Sequence, residues 1–395
     1  MEPIKQTTSN KKNHHELTSK ETQKKIAIFL RDLDGGGIQK VVINLAKEMA
    51  KNGILTDIVI TSGKDYFLEK FPPEIAIINL NSPMAVVSAL PLAQYLRQQK
   101  PEVLLSHGHS NNVAAIIALT IAKVTTRLIL VTHNTLSLDK LQLSTKAKLL
   151  PFLMRFFYPY ADTLIAVSQG TARDLESELG LRKNSVKTIY NPIVNEDLIA
   201  KINEPLHHPW FQPNQPPVFL AVGRLTEQKD YINMLQAFAH LRAQKQARLL
   251  ILGEGNMRSD LELLAKDLGI ESDVSMPGFV KNPYAYMSKA SVLVLSSQYE
   301  ALPTVICEAM ACGCPVISTN CPYGPAEILE HGKYGLLVPV KDPISLADAM
   351  LKTLDNPIEK SLLLQRANDF RADYILPIYL ELMGFKKNSE NNHFN

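Results

Sequence analysis

The chain of 395 residues is 46% hydrophobic and 21% charged, which is enough apolar material for a sizeable core and enough length for two domains, and it excludes disorder as the main state. A net charge of +3 is too small to point to nucleic acid; residues 1–200 carry 24 basic against 18 acidic groups and the remainder 18 against 21. The most apolar stretch, Val113 to Ala122, stops at Lys123, well short of the roughly 18 residues that a membrane span needs.

Residues 1–24 are polar and lack the apolar stretch of a secretory signal, so they are expected to be a disordered tail on a cytoplasmic protein. From Lys25 onward, short runs rich in β-branched residues alternate with amphipathic stretches. Ile26–Leu30, Ile58–Thr61, Val103–Ser106, Leu128–Thr132 and Leu164–Val167 read as strands, and Val41–Lys51 and Leu90–Lys100 as helices between them. Strands that are apolar throughout, and not at every second residue, imply a parallel sheet covered by helices on both faces. The segment His207–Pro217 holds four prolines and reads as a linker. A second series then begins: strands Val218–Val222, Leu249–Leu252, Val292–Ser296 and Val316–Ser318, with helices near Tyr231–Ala243, Met257–Leu268 and Val305–Ala311. The expected organisation is an α/β first domain over 25–205, a linker over 206–217, a second α/β domain over 218–365 and a C-terminal segment, 366–395, that crosses back to the first. In open α/β sheets ligands bind at the carboxyl ends of the strands, so a cleft between two facing domains is the expected site.

Several segments at those strand ends carry chemistry. Asp34-Gly35-Gly36-Gly37 opens the first helix of the chain, where glycines let a ligand approach and free amides suit a phosphate or sugar oxygen; a tight turn would look the same. A dinucleotide fingerprint needs a glycine where the chain has Lys40, which argues against a dehydrogenase. Asp32 and Asp34 could be taken for a metal-binding pair, but loop aspartates before a glycine turn are commonplace, so no metal is expected there. Gly223-Arg224-Leu225-Thr226-Glu227-Gln228-Lys229 places two permanent cations across a strand-to-helix turn, where they either converge on a diphosphate or form a solvated basic turn. In Glu300-Ala301-Leu302-Pro303-Thr304-Val305-Ile306-Cys307-Glu308, Pro303 suits the first turn of a helix. Glu300 then sits in the preceding loop, Glu308 within the helix, and the amides near Leu302–Val305 face the cleft. The two carboxylates do not form a glycosidase pair, which would flank one bond.

Together with Gly253-Glu254-Gly255, Gly278-Phe279-Val280 and Ala311-Cys312-Gly313-Cys314-Pro315-Val316-Ile317, these segments resemble the nucleotide-sugar domain of retaining glycosyltransferases of family 4. The resemblance covers most of residues 25–350 and implies the GT-B fold, two doubly wound Rossmann-like domains facing each other across a cleft. It implies that Arg224 and Lys229 hold the donor diphosphate and that Glu308 holds the ribose. Glu300, with the amides of Leu302, Pro303's helix and Thr304, would hold the donor sugar and phosphate, and His133 would face the transferred sugar. Gly223 and Glu254 fall in the donor-binding loops, Phe279 and Val280 pack on the base, and Gly35, Gly36 and Gly37 lie near the donor phosphate and acceptor. Ala301 departs from the family's usual glycine, which leaves close backbone approach there unassured. Cys321–Ile328 resembles a subgroup that builds bacterial surface or lipid-linked glycans.

The expected reaction is transfer of a hexosyl or N-acetylhexosaminyl group from a UDP-linked sugar to a glycan or lipid-linked hydroxyl, with retained configuration and no divalent metal. Two alternatives remain open at this level, a sugar-nucleotide epimerase of the same fold, which needs no acceptor, and a non-catalytic partner subunit, which would lose the site residues. Cys307, Cys312, Cys314 and Cys321 lie within fifteen residues in neither a disulfide framework nor a zinc spacing. His107 and His109 either line the acceptor side or are loop polar groups, and they lack a third metal ligand. Lys146–Tyr158, basic and very apolar, either lies on an anionic membrane at the cytoplasmic face or forms the core side of a packing helix.

Overall fold

A computed structural model describes residues 24–34, 36–63, 71–72, 74–142 and 149–385. The expected tail, except Lys24, lies outside the described residues, as do Gly35 and the start of the basic segment up to Lys148.

Thirteen strands form two sheets among the described residues. The first holds β1 (Lys25–Leu30), β2 (Leu55–Ile60), β3 (Ile75–Asn79), β4 (Val103–His107), β5 (Arg127–Thr132), β6 (Thr163–Ala166) and β7 (Val186–Thr188) in the order β3-β2-β1-β4-β5-β6-β7. The second holds β8 (Val218–Val222), β9 (Arg248–Leu252), β10 (Val274–Gly278), β11 (Val292–Leu295), β12 (Val316–Thr319) and β13 (Leu336–Val338) in the order β10-β9-β8-β11-β12-β13. The pairings of β1 with β2 and β4, and of β8 with β9 and of β11 with β8 and β12, are parallel. In both sheets the chain winds outward one way from the first strand and then returns to wind the other way. That order is the doubly wound α/β arrangement, and it creates a switch point between β1 and β4 and another between β8 and β11.

The inner strands are apolar along their whole length because helices cover both faces. In the second sheet Phe219, Leu249, Ile251 and Val294 meet Phe238, Leu241, Leu346 and Met350 from the helices in one buried cluster. Helix ends follow local chemistry. Asp342 accepts from the Ser345 amide at 3.0 Å with Pro343 in the first turn of the helix Pro343–Asp355, and Gly180 closes the helix Gln169–Leu179 at a φ of 63°.

The described chain divides into two compact units. One runs up to Val131 and includes Phe152–Leu164, and the other combines Thr132–Pro151 with Ile165 onward. In this division residues 165–205, which include β7 of the first sheet, fall in the second unit. The proline-rich segment read as a linker is packed. Pro209–Phe211 forms a turn of 3₁₀-helix, His208 and Phe211 contact the ring of Tyr286, and the Arg248 guanidinium lies 5.0 Å over the Trp210 ring. Beyond residue 366, Phe370 accepts hydrogen bonds from the amides of Ile193 and Val194, and Val194 accepts one from Ala372.

Candidate active site

The loops after β8 and β11 leave the second sheet at its switch point, and they carry most of the residues singled out above. The turn after β8 runs Gly223 to Lys229, with a short 3₁₀ turn at Glu227–Lys229. The loop after β11 runs Ser296 to Pro303 and leads into the helix Thr304–Ala311. The Gln298 amide donates to the Gln228 carbonyl at 2.8 Å, and Gln228 Nε2 donates to the Tyr299 carbonyl at 2.9 Å, so one backbone and one side-chain bond zip the loops together.

At the end of this zipper Lys229 Nζ meets Glu300 Oε1 at 2.5 Å. The lysine side chain is 15% exposed and the glutamate 10%. A charge pair so far from water needs further partners to offset its desolvation; one serine supplies such a partner and a second holds the lysine's backbone. Ser297 Oγ donates to the same Glu300 oxygen at 2.7 Å, while Ser296 Oγ donates to the Lys229 carbonyl at 2.7 Å. Thr319 Oγ1 holds the Ser297 carbonyl in turn. The sequence reading expects Lys229 to face solvent; the structure corrects this, because the lysine is committed to a carboxylate. Arg224 does face solvent, and its guanidinium makes no ion pair among the described residues. A cavity of about 420 Å³ opens beside it, lined by Thr226, Glu227, Gln228, Asn256, Gln298 and Tyr299 as well.

Glycines bring a third loop against the first. A Cβ on Gly253 would lie 1.9 Å from the Gly223 carbonyl oxygen, and one on Gly255 would lie 2.2 Å from that of Leu225. The Leu225 amide donates to Glu254 at 2.9 Å and the Met257 amide to Leu225 at 3.1 Å across this contact. Glu254, expected to bind donor, is gripped by the Arg258 guanidinium at 2.6 and 2.9 Å, which holds its carboxyl below the usual carboxylate range. Arg258 also donates to the Met276 carbonyl at 2.9 Å, so it fastens the Gly253–Gly255 loop to β10. Phe279 follows directly and is 81% exposed, an apolar ring held in solvent beside Val280.

The helix Thr304–Ala311 begins after Pro303 with no side-chain cap; Ile306 donates its amide to the Pro303 carbonyl at 3.1 Å, and no capping side chain competes with a ligand at the helix start. Glu308 lies within this helix and is buried. The Ala301–Pro303 loop before the helix is packed from the opposite side. Gly324 presses on the loop so tightly that a Cβ there would lie 2.6 Å from the Ala301 oxygen and 2.8 Å from Leu302 Cα. Glu300 and Tyr323 pair as an isolated parallel bridge, with the Glu300 amide donating to Pro322 and the Tyr323 amide donating to Glu300, each at 2.8 Å.

Two family models match the chain: "Glycosyltransferase Family 4" over residues 35–196 and "Glycosyl transferases group 1" over residues 203–369. An uncharacterized glycosyltransferase of Methanocaldococcus jannaschii is 30% identical over 72% of this chain and 80% of its own length. The chain is a family 4 glycosyltransferase. An α-1,4-N-acetyl-D-galactosaminyltransferase of Campylobacter jejuni, whose name gives a diphospho-undecaprenol-linked glycan, is 29% identical over 92% of this chain and 99% of its own. Among solved structures, the Anabaena protein HepE in complex with UDP-glucose superposes with a TM-score of 0.73 at 20% identity, covering 91% of this chain and 99% of that one. That likeness establishes the GT-B fold.

The other expected residues of the glycosyltransferase are distributed as follows. His133 is buried at the carboxyl end of β5. Its neighbour Ser137 donates its amide to Asp174 Oδ2 at 3.2 Å, and Asp174 Oδ1 accepts from the Tyr323 hydroxyl at 3.2 Å. The His133 segment is thereby joined, through Asp174 and Tyr323, to the backbone of Glu300. Glu327 supports the same junction by accepting the amides of Gln169 at 2.8 Å and Gly170 at 3.3 Å, at the start of the helix Gln169–Leu179. Burial lowers His109 to about 4, so it is neutral near pH 7. In the first unit, Gly36 and Gly37 open the helix Gly37–Lys51, and Asp32 Oδ1 accepts from Gln39 Nε2 at 2.8 Å, a local role. Among the described residues no cluster of three or more His, Cys, Asp or Glu is gathered as a metal site would need. All four cysteines are free and buried, and desolvation pushes the thiols of Cys314 and Cys321 up to about 12.

Sequence reasoning misses Ser296, Ser297, Asp174, Arg258 and the steric part of Gly324. Arg258 left a weak signal in its four-residue spacing from Glu254, and Gly324 a plainer one, as the glycine of Pro322-Tyr323-Gly324-Pro325. Replacing it with alanine should push the Glu300–Pro303 loop aside. Overpacking of this kind costs about 1–3 kcal/mol, so Gly324→Ala should lower the melting temperature by several degrees and weaken nucleotide binding together with it. Differential scanning fluorimetry with and without UDP measures both, and an unchanged melting temperature would show that the loop yields without strain.

Proposed function

We propose that this glycosyltransferase moves a sugar from a UDP-linked donor to a hydroxyl of a lipid-linked or polysaccharide acceptor, with retention of configuration and without a divalent metal. The observation that carries the reading is the Lys229–Glu300 contact at the switch point, with Arg224 exposed beside it. One cation is already desolvated, a second is free, and a carboxylate lies at the first one's side. As the glycosidic bond to the donor breaks, negative charge accumulates on the departing diphosphate. Arg224 as a planar fork, Lys229 as a point charge and the uncapped amides of the Thr304 helix stabilise that charge, work that a metal ion does elsewhere. The anomeric carbon becomes electron-poor in the same step, and the Glu300 carboxylate counts more there than in the ground state. Phe279 offers its exposed ring to the base, and Glu308 the ribose hydroxyls. Retention rests on the resemblance of the Glu300–Glu308 segment to the retaining family.

The acceptor class is supported by relatives of similar length. Two transferases of Campylobacter jejuni, matched over 84% and 92% of this chain, carry names that specify undecaprenol-diphosphate-linked glycans, and an Erwinia amylovora relative is named for amylovoran biosynthesis. On this reading the enzyme works at the cytoplasmic face of a membrane. A sugar-nucleotide epimerase would release a free epimer from donor alone, which a donor-only incubation detects.

Arg224→Ala should leave the melting temperature unchanged and reduce kcat/KM about tenfold to a hundredfold, the equivalent of one charge-assisted contact of roughly 1.5–3 kcal/mol. Lys229→Ala should lose activity similarly but also lower the melting temperature, because it leaves the Glu300 carboxylate buried beside no cation. Near-normal turnover in the double variant would remove the diphosphate assignment.

The glutamates should separate by role. Glu308→Gln touches a part of the donor that does not change during reaction, so it should raise the donor KM and weaken free UDP. Glu300→Gln should mainly lower kcat and should not weaken UDP, since it frees the Lys229 ammonium from its competing carboxylate. Calorimetric titration with UDP decides it, and equal weakening by both substitutions would show that the roles are shared. Turnover should also survive a strong chelator; loss in EDTA that magnesium or manganese restores would return Asp32 and Asp34 to consideration as metal ligands.

A further inference from the structure

Tyr231 lies two residues beyond Lys229 and opens the helix Tyr231–Arg242. Between them Asp230 sits at a φ of 49° and accepts the Asn233 amide at 3.3 Å, so a single residue turns the chain and caps the helix. That turn delivers the lysine and the tyrosine to the same small volume. A Cβ on Gly223 would meet the Tyr231 hydroxyl at 3.1 Å and Lys229 Cε at 3.4 Å, so both side chains end against one glycine of the turn after β8. The tyrosine ring belongs to the core of the second sheet, and the residue is 2% exposed. Burial, and after it the negative charge of Glu300, push its phenol well above the usual range.

A buried tyrosine normally gives its hydroxyl a hydrogen-bond partner, because an unpaired polar atom in the interior is costly. The Tyr231 hydroxyl has none among the described residues, although Lys229 and Glu300 lie beside it. Phenylalanine would fill the same core position without that atom. The Glu300 carboxylate is the complementary group. Lys229 and Ser297 both donate to its Oε1, and its Oε2 takes no hydrogen bond among the described residues. A diphosphate that draws Lys229 away leaves this carboxylate with one partner where little water reaches it. We propose that Tyr231 is a positioning residue whose hydroxyl donates to Glu300 when a nucleoside diphosphate engages Lys229. The carboxylate then keeps two donors in both states, and opening the ion pair costs less. The proposal rests on the diphosphate reading given above, but Arg224→Ala tests that reading and Tyr231→Phe tests the hydroxyl alone.

The test is calorimetric titration of the full chain with UDP in a double-variant cycle of Tyr231→Phe and Glu300→Gln. In the wild-type background Tyr231→Phe should weaken UDP about tenfold, the effect of losing one hydrogen bond to a charged group. In the Glu300→Gln background no carboxylate is stranded, and the same change should alter affinity by less than about twofold. The melting temperature without UDP should stay at the wild-type value, since the hydroxyl has no partner to lose. Equal weakening in both backgrounds would overturn the proposal, because the hydroxyl would then touch the nucleotide itself or serve packing alone. So would a melting temperature several degrees lower, or failure to fold, without UDP. If Arg224→Ala weakens UDP and Tyr231→Phe does not, this proposal alone falls. If the wild-type chain does not bind UDP, or Arg224→Ala leaves binding unchanged, the diphosphate reading falls and the proposal with it.

Discussion

The switch-point end of the second sheet depends on one ion pair. Lys229 and Glu300 are 71 residues apart in sequence, and they meet because β8 and β11 are hydrogen-bonded neighbours whose loops leave the same edge. In a parallel sheet all such loops open at one end, but only at a switch point do the connecting helices diverge and leave space between two of them. The pair exploits that space. Ser296, Ser297 and the Gln228–Tyr299 and Gln298–Gln228 hydrogen bonds hold two opposite charges together where water cannot solvate them well. Each fixes one side of the contact, so the charges are ordered before a ligand arrives.

The sheet could be read from the sequence in its interior but not at its margins. The nine strands apparent as apolar runs are the inner ones, β1, β2, β4, β5 and β6, and β8, β9, β11 and β12. The four that went unread, β3, β7, β10 and β13, are the edges of the two sheets. An inner strand is covered on both faces and flanked on both sides, so its residues are buried one after another, as in Val103–His107. An edge strand is only partly covered, and β7 with Val186, Lys187 and Thr188 has one buried residue followed by two exposed ones. Its sequence keeps polar residues for the open side, and no run emerges.

The site divides along a similar line. Cations, carboxylates and glycines at strand ends are visible because loops that bind ligands concentrate unusual residue types. Their mutual arrangement is not visible, because it is created by pairing between distant loops. Lys229 reads as a solvent-facing cation until Glu300 is placed against it. Glu254 reads as a donor ligand until Arg258 closes on it, although the four-residue spacing within one turn and helix start makes that pair accessible in principle. Ser297 is chemically unremarkable in sequence and acquires significance only from a 2.7 Å contact with Glu300. Gly324 is the instructive intermediate, since its glycine is plain but the neighbour that requires it is the Ala301–Pro303 loop more than twenty residues earlier.

The ion pair also shapes what a donor must do. On the proposed reading a diphosphate entering beside Arg224 presents anionic oxygens to Lys229 and competes with Glu300 for the same ammonium. Every gain in the new contact is offset by loss of the old one, so Lys229 adds less to ground-state affinity than its charge alone would give. As the bond to the sugar breaks, the diphosphate gains charge while Glu300 does not, and the balance at Lys229 moves toward the leaving group. The carboxylate released from the ammonium is then available to the electron-poor sugar carbon. A single exchange of partners thus strengthens both interactions in the transition state more than in the bound donor, which is the condition for raising kcat and not merely lowering KM.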